Sequence, residues 1–174
     1  RGVASPAKGL SAEDQLSLRL FRYITEQDLA AEALETHLIR MQALYGMHTR
    51  VYLTFDRMSA HTVRDYENLI ARLRGVPRYV DDQIGILDEA DAQGLTQPAV
   101  IVDLVTAQIE QQLAQDAEHS ALTGAFWHVP TKLPSAEQAR LKAAAIVAYE
   151  QDFRPAWKRL HDYLAGGYRT HARP

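Results

Sequence analysis

The chain contains no cysteine. That excludes disulfides, thiolate-held metal ions and a cysteine nucleophile, while leaving the compartment open. Long apolar runs are missing as well: the most apolar stretch, Pro98 to Val105, is interrupted by Asp103. A membrane-spanning helix needs roughly 18 or more apolar residues in a row, so no membrane span is expected. Nor does charge of one sign accumulate. The 19 Lys and Arg residues are interspersed with 22 Asp and Glu, for a formal net charge of −3. A basic stripe of the kind that grips a phosphate backbone is absent, the nearest approach being Arg154, Lys158 and Arg159 on a solvated helix surface, so nucleic acid is not an expected partner.

The signatures of complete catalytic sites are also missing. H-E-x-x-H, which sets two zinc-binding imidazoles one helical turn apart, does not occur, and neither does the paired Glu-x-x-His of di-iron bundles. No G-x-S-x-G places a serine on a strained turn, and no glycine-rich loop is built to cradle phosphate. The closest approach to a metal-ligand pair is Asp116-x-x-His119, read as surface polarity because such pairs arise by chance in an acidic chain. No metal, cofactor or catalytic residue is assigned to this chain.

What is present is a globular composition, 47% hydrophobic and 24% charged, over 174 residues. At that length one domain burying about 70% of its surface is the prior. Residues 1–10 (R-G-V-A-S-P-A-K-G-L) read as a flexible lead-in, and 11–174 as a single helical domain. Ser11 with Asp14 resembles a capping box, and Leu16, Leu20, Tyr23, Gln27, Ala30, Leu34, His37 and Met41 form a stripe on a helix reaching about Leu44. On it His37 reads as a satisfied histidine and Gln27 as a buried amide. Val51, Leu53 and Phe55 alternate with polar neighbours, which suggests a short strand.

Thr62 caps a helix that Gly75 and Pro77 interrupt, a further helix runs from Pro77 to about Ala92, and Gly94 is its left-handed C-terminal cap. Thr96 caps the next, whose buried face is Val100, Ile101, Leu104, Val105, Ile109 and Leu113. Residues 116–134 form a long loop anchored by Phe126 and Trp127. Ser135 with Gln138 opens a last long helix to about Tyr168, kinked at Pro155. The fold is therefore all-α, an irregular bundle of about five or six helices, two of them long, packed as antiparallel neighbours.

Several segments share order and spacing with one family. L-S-L-R-L-F-R-Y (16–23), the stretch from Thr62 to Ile84, G-L-T-Q-P-A-V-I-V-D (94–103), K-L-P-S-A-E-Q-A-R-L (132–141) and the stretch from Ala148 to Leu164 carry the likeness. In them the chain resembles the bacterial family known as domain of unknown function eight-eight-five, whose longer members look like zinc metallopeptidases. The resemblance implies that this region precedes a C-terminal part holding the H-E-x-x-H-type helix and the zinc. No zinc ligand or catalytic glutamate carries over to any position here.

What the resemblance implies is the N-terminal helical portion of a zinc-dependent peptidase, forming a wall of the substrate cleft and supporting the catalytic half. Arg78 and Tyr79, beside Pro77, and Trp127, in the long loop, are the residues expected to face that cleft. A stand-alone, non-catalytic binding or scaffold module is the alternative. Arg1 rather than Met comes first, so the chain is expected to be part of a longer product. Its expected partners are the C-terminal catalytic half, a peptide substrate, and a second copy paired through an apolar patch of Phe126, Trp127, Tyr163 and Tyr168. The compartment stays open, with a periplasmic or secreted bacterial setting among the expectations.

Overall fold

A computed structural model describes residues 9–32, 38 and 41–174. The protein is all-α, with five helices and no strand among the described residues. They are α1 (Ala12–Glu32), α2 (Met47–Asp56), α3 (Val63–Ala92), α4 (Ala99–Leu113) and a joined helix of 37 residues. The joined helix consists of α5 (Ser135–Ala148), a π turn (Tyr149–Phe153), α6 (Arg154–Tyr163), a second π turn (Leu164–Tyr168) and α7 (Arg169–His171). Two compact units divide the chain, Arg1–His37 and Leu38–Pro174. The expected lead-in falls almost wholly on residues outside those described.

In the first unit, Ser11 caps α1. Its Oγ accepts the Asp14 N–H at 3.1 Å and donates to Asp14 Oδ2 at 2.7 Å, so Asp serves where Glu or Gln is usual. The expected buried stripe is not buried: Leu16, Leu20 and Tyr23 are exposed, and so is Gln27. Phe21 and Leu29, off that stripe, are equally exposed, so the apolar residues of α1 do not define one covered face. His37 lies outside the described residues. The helix also does not reach Leu44, because residues 43–45 form a turn. Gly46 closes it: a Cβ there would lie 2.3 Å from the Gln42 carbonyl oxygen, so only glycine fits.

In the second unit, the segment expected as a strand is α2. The alternation at 51, 53 and 55 is equally a four-residue spacing, Met47–Val51–Phe55. Met47 and Phe55 are buried, whereas Leu53 is exposed. Thr62 caps α3 through a capping box: its Oγ1 accepts from Asp65 N at 3.3 Å, and Asp65 Oδ2 accepts from Thr62 N at 2.8 Å. The break expected at Gly75 and Pro77 does not occur, and α3 runs through both for 30 residues. A proline inside a helix costs about 3 kcal/mol. Leu73, Val76 and Val80, buried on both sides of Pro77, keep their register and offset that cost. Gly94, at φ +72, ends the helix in a Schellman motif, with Gly94 N bonded to Asp91 O and Leu95 N to Ala90 O.

Helix α4 starts later than expected. Thr96 is buried rather than capping, and the turn is closed from the far end of the chain. Arg173 N–H donates to Gln97 O at 3.0 Å, Ala99 N–H donates to Arg173 O at 2.7 Å, and Arg173 Nε donates to Thr96 O at 2.7 Å. Val100 and Leu104, assigned to the buried face, are exposed; Val105 and Ile109 are buried as expected, and Val102 is buried with them. The Ser135 capping box does not form either. Pro134 holds the cap position, and Gln138 Nε2 donates to Leu133 O at 2.7 Å.

The joined helix passes Pro155 without a break. Directly before it, Arg154 N–H bonds to Tyr149 O, five residues back, in a widened π turn. The proline ring, which would clash with a regular preceding turn, meets one that is already unwound. A second departure falls at Gly166, whose φ −90 and ψ −116 are not helical.

Helix directions follow from cross-helix bonds. Glu67–Arg140, Asp81–Arg159, Asp88–Tyr163 and Asp91–His171 pair α3 with the joined helix, and both numbers rise together. These two long helices are parallel, not antiparallel neighbours. Helix α4 lies antiparallel to the joined helix, pairing Gln112 with Trp157 and Asp103 with Arg169. The short turn at Gly94 reverses α3 into α4, and the long connection before α5 reverses the chain again. Trp157, Phe153, Tyr149 and Tyr66 fill the core, with Phe153 and Trp157 ring centroids 4.9 Å apart and Tyr52 of α2 edge-on to both.

Candidate functional site

A largely apolar depression of the second unit lies between α2 and α3. Arg50, Val51, Thr54 and Phe55 form one wall and Arg72, Gly75, Val76 and Tyr79 the other, around about 330 Å³. Each wall follows from helical spacing, which brings residues three and four apart onto one face. Tyr79 fastens the walls together, donating its hydroxyl to the Met47 carbonyl in the first turn of α2 at 3.2 Å. Gly75 leaves the floor open, since a Cβ there would meet nothing within 4 Å. Arg72 also borders a second depression, with Met58, Ser59, Asp65, Asn68 and Ala71. There Asp65 is already engaged: the His61 N–H, with the Thr62 hydroxyl and N–H, holds its carboxyl below the usual range.

The charged residues lining the groove are both cationic, Arg50 and Arg72. Arg140, Arg159 and Arg169 each bond a carboxylate across helices, at 2.8, 2.6 and 2.6 Å. Among the described residues, neither the Arg50 nor the Arg72 guanidinium has a hydrogen bond or ion pair, and no carboxylate lines the groove.

Of the three residues expected to face a cleft, Tyr79 lines this groove. Arg78, its neighbour, is exposed and is not part of the lining. Trp127 sits elsewhere, in a 3-10 turn (Gly124–Trp127), half-buried under Lys142, whose Nζ lies 3.6 Å from the ring centroid; its Nε1 is buried without a partner. The structure does not bring Trp127 into the groove with Tyr79. The aromatic patch expected for pairing with a second copy is not a surface feature. Phe126 is buried edge-on against Tyr66 at 5.4 Å, Tyr168 is buried with its hydroxyl accepting the Gln97 N–H, and Tyr163 is half-buried and donates to Asp88. Arg50, Arg72 and Gly75 were not nominated from sequence, because α2 read as extended and Gly75 as a break.

Two histidines elsewhere are held by neighbouring side chains. The Asp116 carboxylate accepts the Glu118 and His119 N–H groups and pairs with the His119 imidazole at 2.7 Å, which lifts the histidine's pKa. Fully buried His48 reaches Gln108 through Nε2 at 2.6 Å, and burial holds its imidazole below the ordinary value. Among the described residues no group of three or more His, Asp or Glu could hold a metal ion, so they do not fit the zinc implied by the resemblance. No described helix is long and apolar enough to cross a membrane.

Fold and groove together define an all-α protein with an apolar trough between two arginines. Residues 3–174 match the family described as bacterial protein of unknown function, DUF885, and the chain belongs to it. No curated protein and no solved structure matches the chain.

Proposed function

We propose that this chain is the helical portion of a zinc-dependent peptidase, forming one wall of the substrate cleft and supporting the catalytic part. The observation that carries the cleft-wall role is the α2–α3 groove, an open apolar trough held by Tyr79 and suited to the side chains of an extended peptide. Family membership over residues 3–174 supports the rest, together with the likeness to longer members that look like zinc peptidases. Because these residues do not fit zinc, no step of hydrolysis is assigned to them. Zinc and the catalytic glutamate belong, in this reading, to a C-terminal part. Arg78 and Trp127, with Tyr79, are proposed to face the cleft that the two parts share.

The test compares the complete gene product with this chain alone. The complete protein is expected to hold one zinc and to hydrolyse short peptides, losing activity on chelation, while this chain does neither. Tyr79→Ala in the complete protein is expected to raise KM more than it lowers kcat, as a binding contact should. A complete protein without zinc or peptide hydrolysis overturns the reading. It then favours a non-catalytic binding or scaffold module, a role consistent with the closed aromatic core of Leu38–Pro174.

A further inference from the structure

We infer that the α2–α3 groove binds a small apolar carboxylate, with the acid between Arg50 and Arg72 and the apolar body on Val51, Phe55, Val76 and the open floor at Gly75. Three observations converge on it, and none depends on the peptidase reading.

The first is charge. Arg50 and Arg72, one from each wall, have no carboxylate partner, and no carboxylate lines the groove between them. Local sequence forecloses an internal partner. Three and four residues from Arg50 stand Gly46, Met47, Leu53 and Thr54; around Arg72 stand Asn68, Leu69, Gly75 and Val76. None is acidic, so the usual helical ion pairs cannot form. Two guanidinium forks beside low-dielectric walls suit a carboxylate, which accepts parallel N–H bonds from such a fork.

The second is shape. About 330 Å³ is at the lower end of ligand-pocket volumes, roughly 300–1,000 Å³, room for one small molecule or a single peptide side chain. The walls between the arginines are apolar, so a monocarboxylate with an aryl or branched tail sets its acid on a guanidinium and its tail against Val51, Phe55 and Val76.

The third is Gly75. Glycine inside a helix is less favourable than alanine, and here no neighbouring atom requires it, since a Cβ would meet nothing within 4 Å. Gly85, further along α3, is equally free of neighbours, so what sets Gly75 apart is its place in the groove lining. At Gly75 the missing side chain is space in the groove.

The experiment is calorimetric or NMR titration of the purified chain with 3-phenylpropionate and with its neutral isostere 3-phenylpropan-1-ol. The acid is expected to bind and the alcohol to bind about tenfold more weakly, the scale of one charge-assisted bond. Arg50→Gln and Arg72→Gln should each weaken the acid by a similar factor and leave the alcohol unchanged. Gly75→Leu, which fills the floor, should abolish binding of both while the melting temperature holds or rises, so that loss of the site is separated from loss of the fold. No binding of the acid, equal binding of acid and alcohol, arginine variants that bind the acid like the parent chain, or a Gly75→Leu chain that still binds would overturn the proposal.

Discussion

Helix α3 has two sides that obey different rules. Toward the joined helix it presents Leu69, Leu73, Val80 and Leu87, all buried, and its polar margin is closed by Glu67–Arg140, Asp81–Arg159 and Asp88–Tyr163. Toward α2 it presents Arg72 without a partner and Gly75 without a packing reason. On the first side, residue choice, burial and pairing agree, as they do where a sequence specifies structure. On the second, an unpaired arginine and a glycine that packing does not require line one apolar groove. Structure and binding are thus divided between two sides of one element.

The contrast is broken most forcefully by attacking the packed side. Trp157 is fully buried between Phe153 and Tyr52, and its Nε1 donates to Gln112 Oε1 at 2.7 Å. Trp157→Ala removes the largest buried side chain and strands Gln112, so a loss of about 3–5 kcal/mol is expected in urea unfolding. A loss below about 1 kcal/mol would mean that the aromatic core is not what holds the joined helix.

His48 tests how α2, the other wall of the groove, is fixed to the core. Burial depresses its folded-state pKa, although the Gln108 bond acts the other way. For a base with a depressed pKa, the unfolded chain takes up the proton first. Stability is therefore whole above the ordinary value of about 6.5 and falls as pH drops from there toward the folded-state pKa, by at most about 1.4 kcal/mol per pH unit. His48→Leu should flatten the stability profile between about pH 6.5 and 5. An unchanged slope would assign the acid sensitivity to other groups.

Much of the fold is legible in sequence where one local signal decides. The Thr62 capping box, the left-handed Gly94 and the aromatic anchoring of the long connection are of this kind, because each depends on neighbours within a few residues. Signals that compete with packing mislead. Pro77 reads as a break, yet Leu73 and Val80 hold the helix through it; Val51, Leu53 and Phe55 read as a strand because three residues cannot separate a period of two from one of four. The parallel course of the two long helices depends on pairs more than seventy residues apart, such as Glu67 and Arg140, and no local pattern encodes it. Of the site, Tyr79 was legible as a neighbour of Pro77, two residues on. Arg50 and Arg72 were not, since an arginine shows its lack of a partner only once the surrounding surface is folded.

Gly75→Ala sharpens the contrast from the other side. If nothing in the packing needs this glycine, alanine should raise stability by about 0.5–1 kcal/mol through helix propensity and a less flexible unfolded chain. A destabilised variant would show that the groove floor is structural after all.

The smallest effect separates a paired arginine from an unpaired one. Arg159 reaches Asp81 through Nη2 at 2.6 Å and Nε at 3.1 Å, but the side chains are 46% and 62% exposed, so water and salt screen the pair. Exposed ion pairs typically contribute roughly 0.2–1 kcal/mol. A double-mutant cycle with Arg159→Gln and Asp81→Asn should return a coupling in that range at low salt and less near molar salt, where the screening length is only about 3 Å. Arg72→Gln, on the groove side, removes no pair, so its stability should stay within about 0.5 kcal/mol of the parent at every salt concentration. A salt-dependent loss at Arg72 that matched the loss at Arg159 would reveal an internal partner and erase the distinction between the two sides of α3.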